Sequence, residues 1–96
     1  MHLEIITPES KIFYGEVSAV QFPGLDGSFQ VLTGHAPIIS GLNGGIVKVD
    51  LTSPFDKTEK TSELVKQDAK DSKIIRVEIS GGVMEFLNDK IIVLAE

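Results

Sequence analysis

Among the 96 residues, the side chain best suited to chemistry near neutral pH is His35. An unperturbed imidazole titrates at about 6.5, which suits a general base, a proton shuttle or a metal ligand. His35 lies in Thr33-Gly34-His35-Ala36-Pro37, where the chain must turn sharply. Gly34 reaches positive φ without a Cβ clash, and Pro37 fixes its own φ and keeps Ala36 out of the helical region. Catalysis would need a nucleophile and an orienting carboxylate to converge on the ring. Asp26, Ser28 and Ser40 are close in sequence, but no Gly-x-Ser-x-Gly motif accompanies them. The residues favour a corner histidine that bonds backbone or meets a partner over one that transfers protons.

Other chemistries fit less well. A metal site needs several ligands at defined spacing, and the two histidines, His2 and His35, are far apart. Asp26-Gly27-Ser28 has the start of a calcium loop without its remaining ligands. No glycine-rich stretch carries the Lys-Ser/Thr of a phosphate loop, so Gly44-Gly45 and Ser80-Gly81-Gly82 read as turns. Cysteine is absent, which removes disulfides and thiolate metal sites. Neither a cofactor nor a metal is expected.

Composition narrows the class further. The chain is 42% hydrophobic and 24% charged, as in an ordinary globular protein, and of a length for one domain. Fourteen acidic residues against 9 basic give a net charge of −5, with no basic stripe, so a nucleic-acid partner is not expected. No apolar run approaches the ~20 residues of a membrane span, and Met1-His2-Leu3-Glu4 lacks the head of a signal peptide. A soluble, cytoplasmic protein is the expectation.

The elements that must position His35 are strands. Leu3–Thr7, Lys11–Tyr14 and Glu16–Phe22 read as three, with Gly15 ending the second. Pro23–Gly27 is a turn, followed by Ser28–Leu32 and the corner. Pro37–Ser40 starts another strand, Gly41–Gly45 turns, and Val47, Val49 and Leu51 alternate against Lys48 and Asp50. From Thr52 to Ser72 charges of both signs are interspersed and only Phe55, Leu64 and Val65 are large and apolar. That segment reads as a long, mobile, solvated hairpin loop, with a short helix over Glu63–Lys70 as the other possibility. Alternation resumes at Ile75–Ile79. Ser80–Gly82 turns, Val83–Leu87 is a strand, Asn88-Asp89 a tight turn and Lys90–Ala95 the last strand. Its run Ile91–Leu94, apolar on both faces, should lie centrally. Short strands punctuated by glycine every 8–12 residues predict an all-β fold, a flattened β-sandwich or barrel of about ten short strands.

This order of features resembles the epsilon subunit of F-type ATP synthase in its N-terminal β-sandwich domain. The residues that carry the resemblance are Gly15, Val20-Gln21-Phe22, Asp26-Gly27, Gly34-His35-Ala36-Pro37, Ser80-Gly81-Gly82-Val83-Met84-Glu85 and Val93-Leu94-Ala95. It covers nearly the whole chain except Thr52–Ser72, so that residues 1–96 read as one epsilon-type sandwich with a long charged loop at 52–72. The resemblance implies a non-catalytic subunit of the rotating central stalk. One face would bind the gamma subunit and one edge would rest on the c-ring, coupling proton-driven rotation to ATP synthesis. Membrane contact would run only through the complex, at the cytoplasmic side of the bacterial cell membrane.

Residue by residue, Gly34, His35, Ala36 and Pro37 match the family's corner near gamma. Asp26, Gly27 and Ser28 match the loop that approaches the c-ring. Ser28 is a departure, since some members place a carboxylate there. The family's C-terminal helical hairpin has no counterpart before Glu96. The reading that competes with assembly is a free-standing β-sandwich ligand-binding module, for which six aromatic residues and no Trp make a sugar-stacking site unfavourable.

Overall fold

The structure is a computed structural model that describes residues 1–58 and 61–96. Seven strands and no helix occur among the described residues: β1 His2–Ile6, β2 Lys11–Gly24, β3 Gly27–Leu32, β4 Ile38–Leu51, β5 Val65–Gln67, β6 Ile74–Leu87 and β7 Lys90–Ala95. The all-β expectation holds, with seven strands in place of about ten. The difference lies in β2, β4 and β6, each of 14 residues. Gly15, Gly41–Gly45 and Ser80–Gly82 do not end strands; they lie inside these three long ones, at or near the points where β2 and β6 change neighbours.

The pairing shows this directly. Residues 11–16 of β2 pair antiparallel with β1, and the rest of the strand pairs with β3 and β4. β6 pairs with β4 along nearly its whole length, but on its other side it exchanges β5 (at 75–77) for β7 (at 82–87). β1 runs parallel to β7, which closes the ring β1-β7-β6-β4-β2. A chain that bends through both layers of a sandwich needs residues without bulk at the bend. Gly82 is such a place: its φ is +148°, and a methyl there would run into the Leu94 carbonyl oxygen.

The interior follows from alternation. Leu3, Ile5, Val17, Val20, Phe22, Val31, Val47, Val49, Ile75, Val77, Met84, Ile91 and Val93 are fully buried in one cluster. No polar or charged residue is buried among the described residues. Each fully buried aliphatic or aromatic side chain contributes about 1.5–3 kcal/mol relative to exposure. The Asn88-Asp89 turn appears as expected, with φ of 52° and 62°, the left-handed pair of a two-residue hairpin.

The segment at 52–72 departs from its expectation, although Glu59 and Lys60 lie outside the described residues. It holds β5 and no helix over Glu63–Lys70. Its base is tied by backbone bonds from Leu51 N–H to the Lys73 carbonyl (2.7 Å) and from Phe55 N–H to the Ser72 carbonyl (2.7 Å). Val65 is buried and Phe55 packs against the core cluster. Two apolar anchors are enough to lay a charged segment along a sheet edge, which the charge count alone did not show.

Candidate functional site

The corner forms where β3 ends and β4 begins. His35 N–H donates to the Leu32 carbonyl at 3.0 Å, and Gly34 takes φ +85°. Residues Gly34, His35, Ala36 and Pro37 are all exposed. The His35 ring bonds the Ala36 carbonyl through Nδ1 at 2.7 Å. A carbonyl only accepts, so Nδ1 is the donor in that contact. The ring also stands edge-on to Phe86, with centroids 6.3 Å apart at 71°. This is the geometry of a braced corner.

The second candidate segment is the tip of the β2–β3 hairpin. Gly24 pairs with Gly27, and Leu25-Asp26 make the turn between them. Asp26, Gly27 and Ser28 are exposed, and Ser28 pairs with Pro23. The tip does not stand free of the sheet. Leu25 N–H donates to the Gly41 carbonyl at 3.3 Å, and the Leu25 side chain lies across Gly41, where a Cβ would be 2.6 Å from its Cδ1.

The corner and the tip are linked by Ile39. Its side chain borders three surface grooves: about 340 Å³ beside Pro37, Phe86 and Leu87; about 470 Å³ beside the hairpin tip; and about 220 Å³ beside Val83, Ile92 and Leu94. Strand register explains why. Ile39, Glu85 and Ile92 are cross-strand neighbours on β4, β6 and β7, and Gly41, Val83 and Leu94 form the adjacent row. Both rows face outward. Ile39 is 71% exposed and Leu94 57%, with Val83, Leu87 and Leu25 about half exposed or more. An apolar sheet face therefore runs from the corner to the hairpin tip.

Sequence reasoning named Asp26, Gly27, Ser28 and Gly34–Pro37 and missed this face between them. The signal was present in Ile38-Ile39 and Ile91–Leu94, where apolar residues occupy both faces. β7 does lie centrally, between β1 and β6. Only its inward face is buried; Leu94 points to solvent. A contiguous exposed apolar face of this kind marks a contact surface more often than an ordinary exterior.

The opposite end of the same row is polar. Glu4 on β1 is the cross-strand neighbour of Ile92. It accepts from Lys90 Nζ at 2.9 Å and Lys11 Nζ at 3.2 Å, with the His2 imidazole 3.6 Å away. The two lysines hold its carboxyl below the usual range. No group of three or more His, Cys, Asp or Glu that could hold a metal occurs among the described residues.

Comparison with known proteins gives a consistent set of likenesses. Residues 1–61 match the family model described as ATP synthase, Delta/Epsilon chain, beta-sandwich domain. The chain is 37% identical over 94 residues to the ATP synthase epsilon chain of Chlorobium limicola, covering 98% of this chain and 86% of that one. It is 40% identical over 78 residues to the ATP synthase epsilon chain of Campylobacter lari, of which it covers 55%. Among solved structures it superposes with TM-score 0.71 and 13% identity on a chain of the Tetrahymena thermophila mitochondrial ATP synthase central stalk/c-ring, covering 99% of this chain and 62% of that one.

Proposed function

The chain belongs to the ATP synthase delta/epsilon family, as its epsilon-type β-sandwich domain, and we propose that it is a non-catalytic central-stalk subunit that binds gamma and the c-ring and couples proton-driven rotation to ATP synthesis. The observation that carries the reading is the outward apolar face Ile39-Val83-Leu87-Leu94, bordered by the corner at one end and the hairpin tip at the other. A subunit that transmits torque must be held on more than one side. The face and the corner suit gamma, since an interface core of aliphatic groups excludes water. The tip at Asp26-Gly27-Ser28 suits the c-ring, as the exposed polar end of the molecule. Ser28 brings no charge there, so this contact rests on Asp26, backbone and shape.

The chain sits at the cytoplasmic side of the bacterial membrane as a peripheral part of the complex. With a net charge of −5 it gains nothing from anionic lipid, so protein contacts must hold it there. The test is affinity capture from cells carrying the tagged protein. Recovery of gamma, the catalytic head subunits and the c-ring is expected. Recovery of the protein alone, with a small molecule retained in one of the grooves, would favour the free-standing ligand-binding module instead.

A further inference from the structure

Two carboxylates lie in one row on the outer face of the sheet, and they are treated oppositely. Along the register Glu4–Ile92–Glu85–Ile39, Glu4 at one end has two lysines within 3.2 Å. Glu85 stands two strands away, about 10 Å at the spacing of neighbouring strands, and no cation lies within ion-pair distance of it among the described residues. Its neighbours are mostly aliphatic: Ile39 and Ile92 beside it in the row, Val83 and Leu87 above and below it on its own strand, and Leu94 on one diagonal, while Lys90 on the other diagonal turns its ammonium to Glu4. It lines both apolar grooves that Ile39 joins on this part of the sheet. The lysines nearest along the row, Lys90 and Lys11, are already engaged by Glu4.

We propose that Glu85 is the electrostatic anchor of this face, and that the partner seated on it delivers a cationic side chain, an arginine or lysine, into the ring of Ile39, Val83, Leu87, Ile92 and Leu94. The inference rests on the reading that the face docks against gamma. The physical reason is desolvation. A partner that covered the aliphatic ring would strip water from Glu85, and a carboxylate buried without a partner is strongly disfavoured. The face can be covered only by a surface that supplies the missing positive charge. A second copy of this chain packed face to face would bring a second Glu85 to the contact and a further net charge of −5. An anionic bilayer would repel it likewise. Both are disfavoured by the same charge that selects a basic partner.

The test is a titration of purified gamma with the parent chain, Glu85→Gln, Glu85→Lys and, as a control on the same sheet row, Glu4→Gln, at two salt concentrations. Glu85 is exposed in the free chain, so both of its variants should unfold at the parent's temperature. The expected result is that Glu85→Gln binds about 10- to 100-fold more weakly, Glu85→Lys more weakly still, and Glu4→Gln within about twofold of the parent. Salt should weaken the parent more than Glu85→Gln. Equal affinities for the parent and both Glu85 variants would overturn the anchor while leaving gamma binding intact. Failure of the parent itself to bind gamma would overturn the docking reading and the anchor with it.

Discussion

The His35 imidazole meets the Phe86 ring edge-on at 6.3 Å, and this contact ties an exposed corner to the core. Phe86 is 4% exposed and pairs with Ile38 and Ile91 in the inward row. Glu85, one residue earlier, faces outward beside Ile39. The histidine therefore rests on the end of the core while remaining exposed to solvent. An aromatic contact of this kind contributes about 0.5–1.5 kcal/mol. His35→Ala should lower stability by no more than that, measured by urea denaturation.

Binding should respond more than stability. His35→Asp places a carboxylate on the exposed corner proposed to meet gamma, and Ala36→Trp puts bulk on the same corner. Both residues are exposed, so the fold should survive. Titration against gamma should show weaker binding for each variant. Affinities equal to the parent would remove the corner from the interface.

Asp68 and Arg76 form a second clasp, remote from the corner. Arg76 Nη1 donates to Asp68 Oδ1 at 2.7 Å, while the Lys70 and Asp71 backbone N–H groups donate to Oδ2 at 3.0 and 2.9 Å. The Arg76 hydrogen bond first, then those two, hold the Asp68 carboxyl at about 2, below its ordinary 3.8. A depressed folded-state value means that the clasp stabilises the fold above the unfolded value. That stabilisation is lost as pH falls from about 4 toward 2. Melting temperatures of the parent and Asp68→Asn should differ at pH 7 and converge near pH 2. Parallel curves over that range would count against the clasp.

The strand content and the corner were legible in the sequence because alternation and Gly-Pro chemistry are local. The continuity of β2, β4 and β6 was not. Gly15, Gly44-Gly45 and Gly81-Gly82 carry the same local signal whether a strand ends or bends into the other layer, and only the pairing partner decides. The face around Ile39 and Leu94 was hidden for a related reason. An apolar residue on the second face of a strand predicts burial, and sequence alone does not say whether another part of the chain or a separate protein supplies the cover. The course of residues 52–72 turned on Phe55 and Val65, two residues in a charged background.

Phe55 gives a direct test of that segment. It packs against the core beside Phe13, and its backbone bonds Ser72. The side chain is half-buried, so Phe55→Ala should cost about 1–2 kcal/mol. Amide exchange at Val65–Gln67 should accelerate in the variant, because among the described residues β5 pairs only with β6. If β5 exchanges as fast in the parent as in the variant, Phe55 is not what holds the segment down.

Gly34 and Gly82 separate conformational cost from steric cost. Both take positive φ, +85° and +148°. Around Gly34 nothing lies within 4 Å of an added methyl, so Gly34→Ala meets only the backbone penalty, about 1–2 kcal/mol. Gly82 faces the backbone of β7, where the Leu94 carbonyl and the Ala95 Cα leave no room. Backbone cannot swing aside as a side chain can, so Gly82→Ala must part β6 from β7 where Gly82 pairs with Ala95. Its cost should exceed that of Gly34→Ala by about 2 kcal/mol or more, as overpacking adds to strain. Because Val83 and Leu94 lie beside that junction, Gly82→Ala should also disturb the docking face and weaken gamma binding, whereas Gly34→Ala should disturb only the corner. Denaturation and gamma titration on the two variants test both halves. Equal losses of stability would mean that β7 yields at Gly82, and that the bend of β6 is not set by the close approach of these two strands.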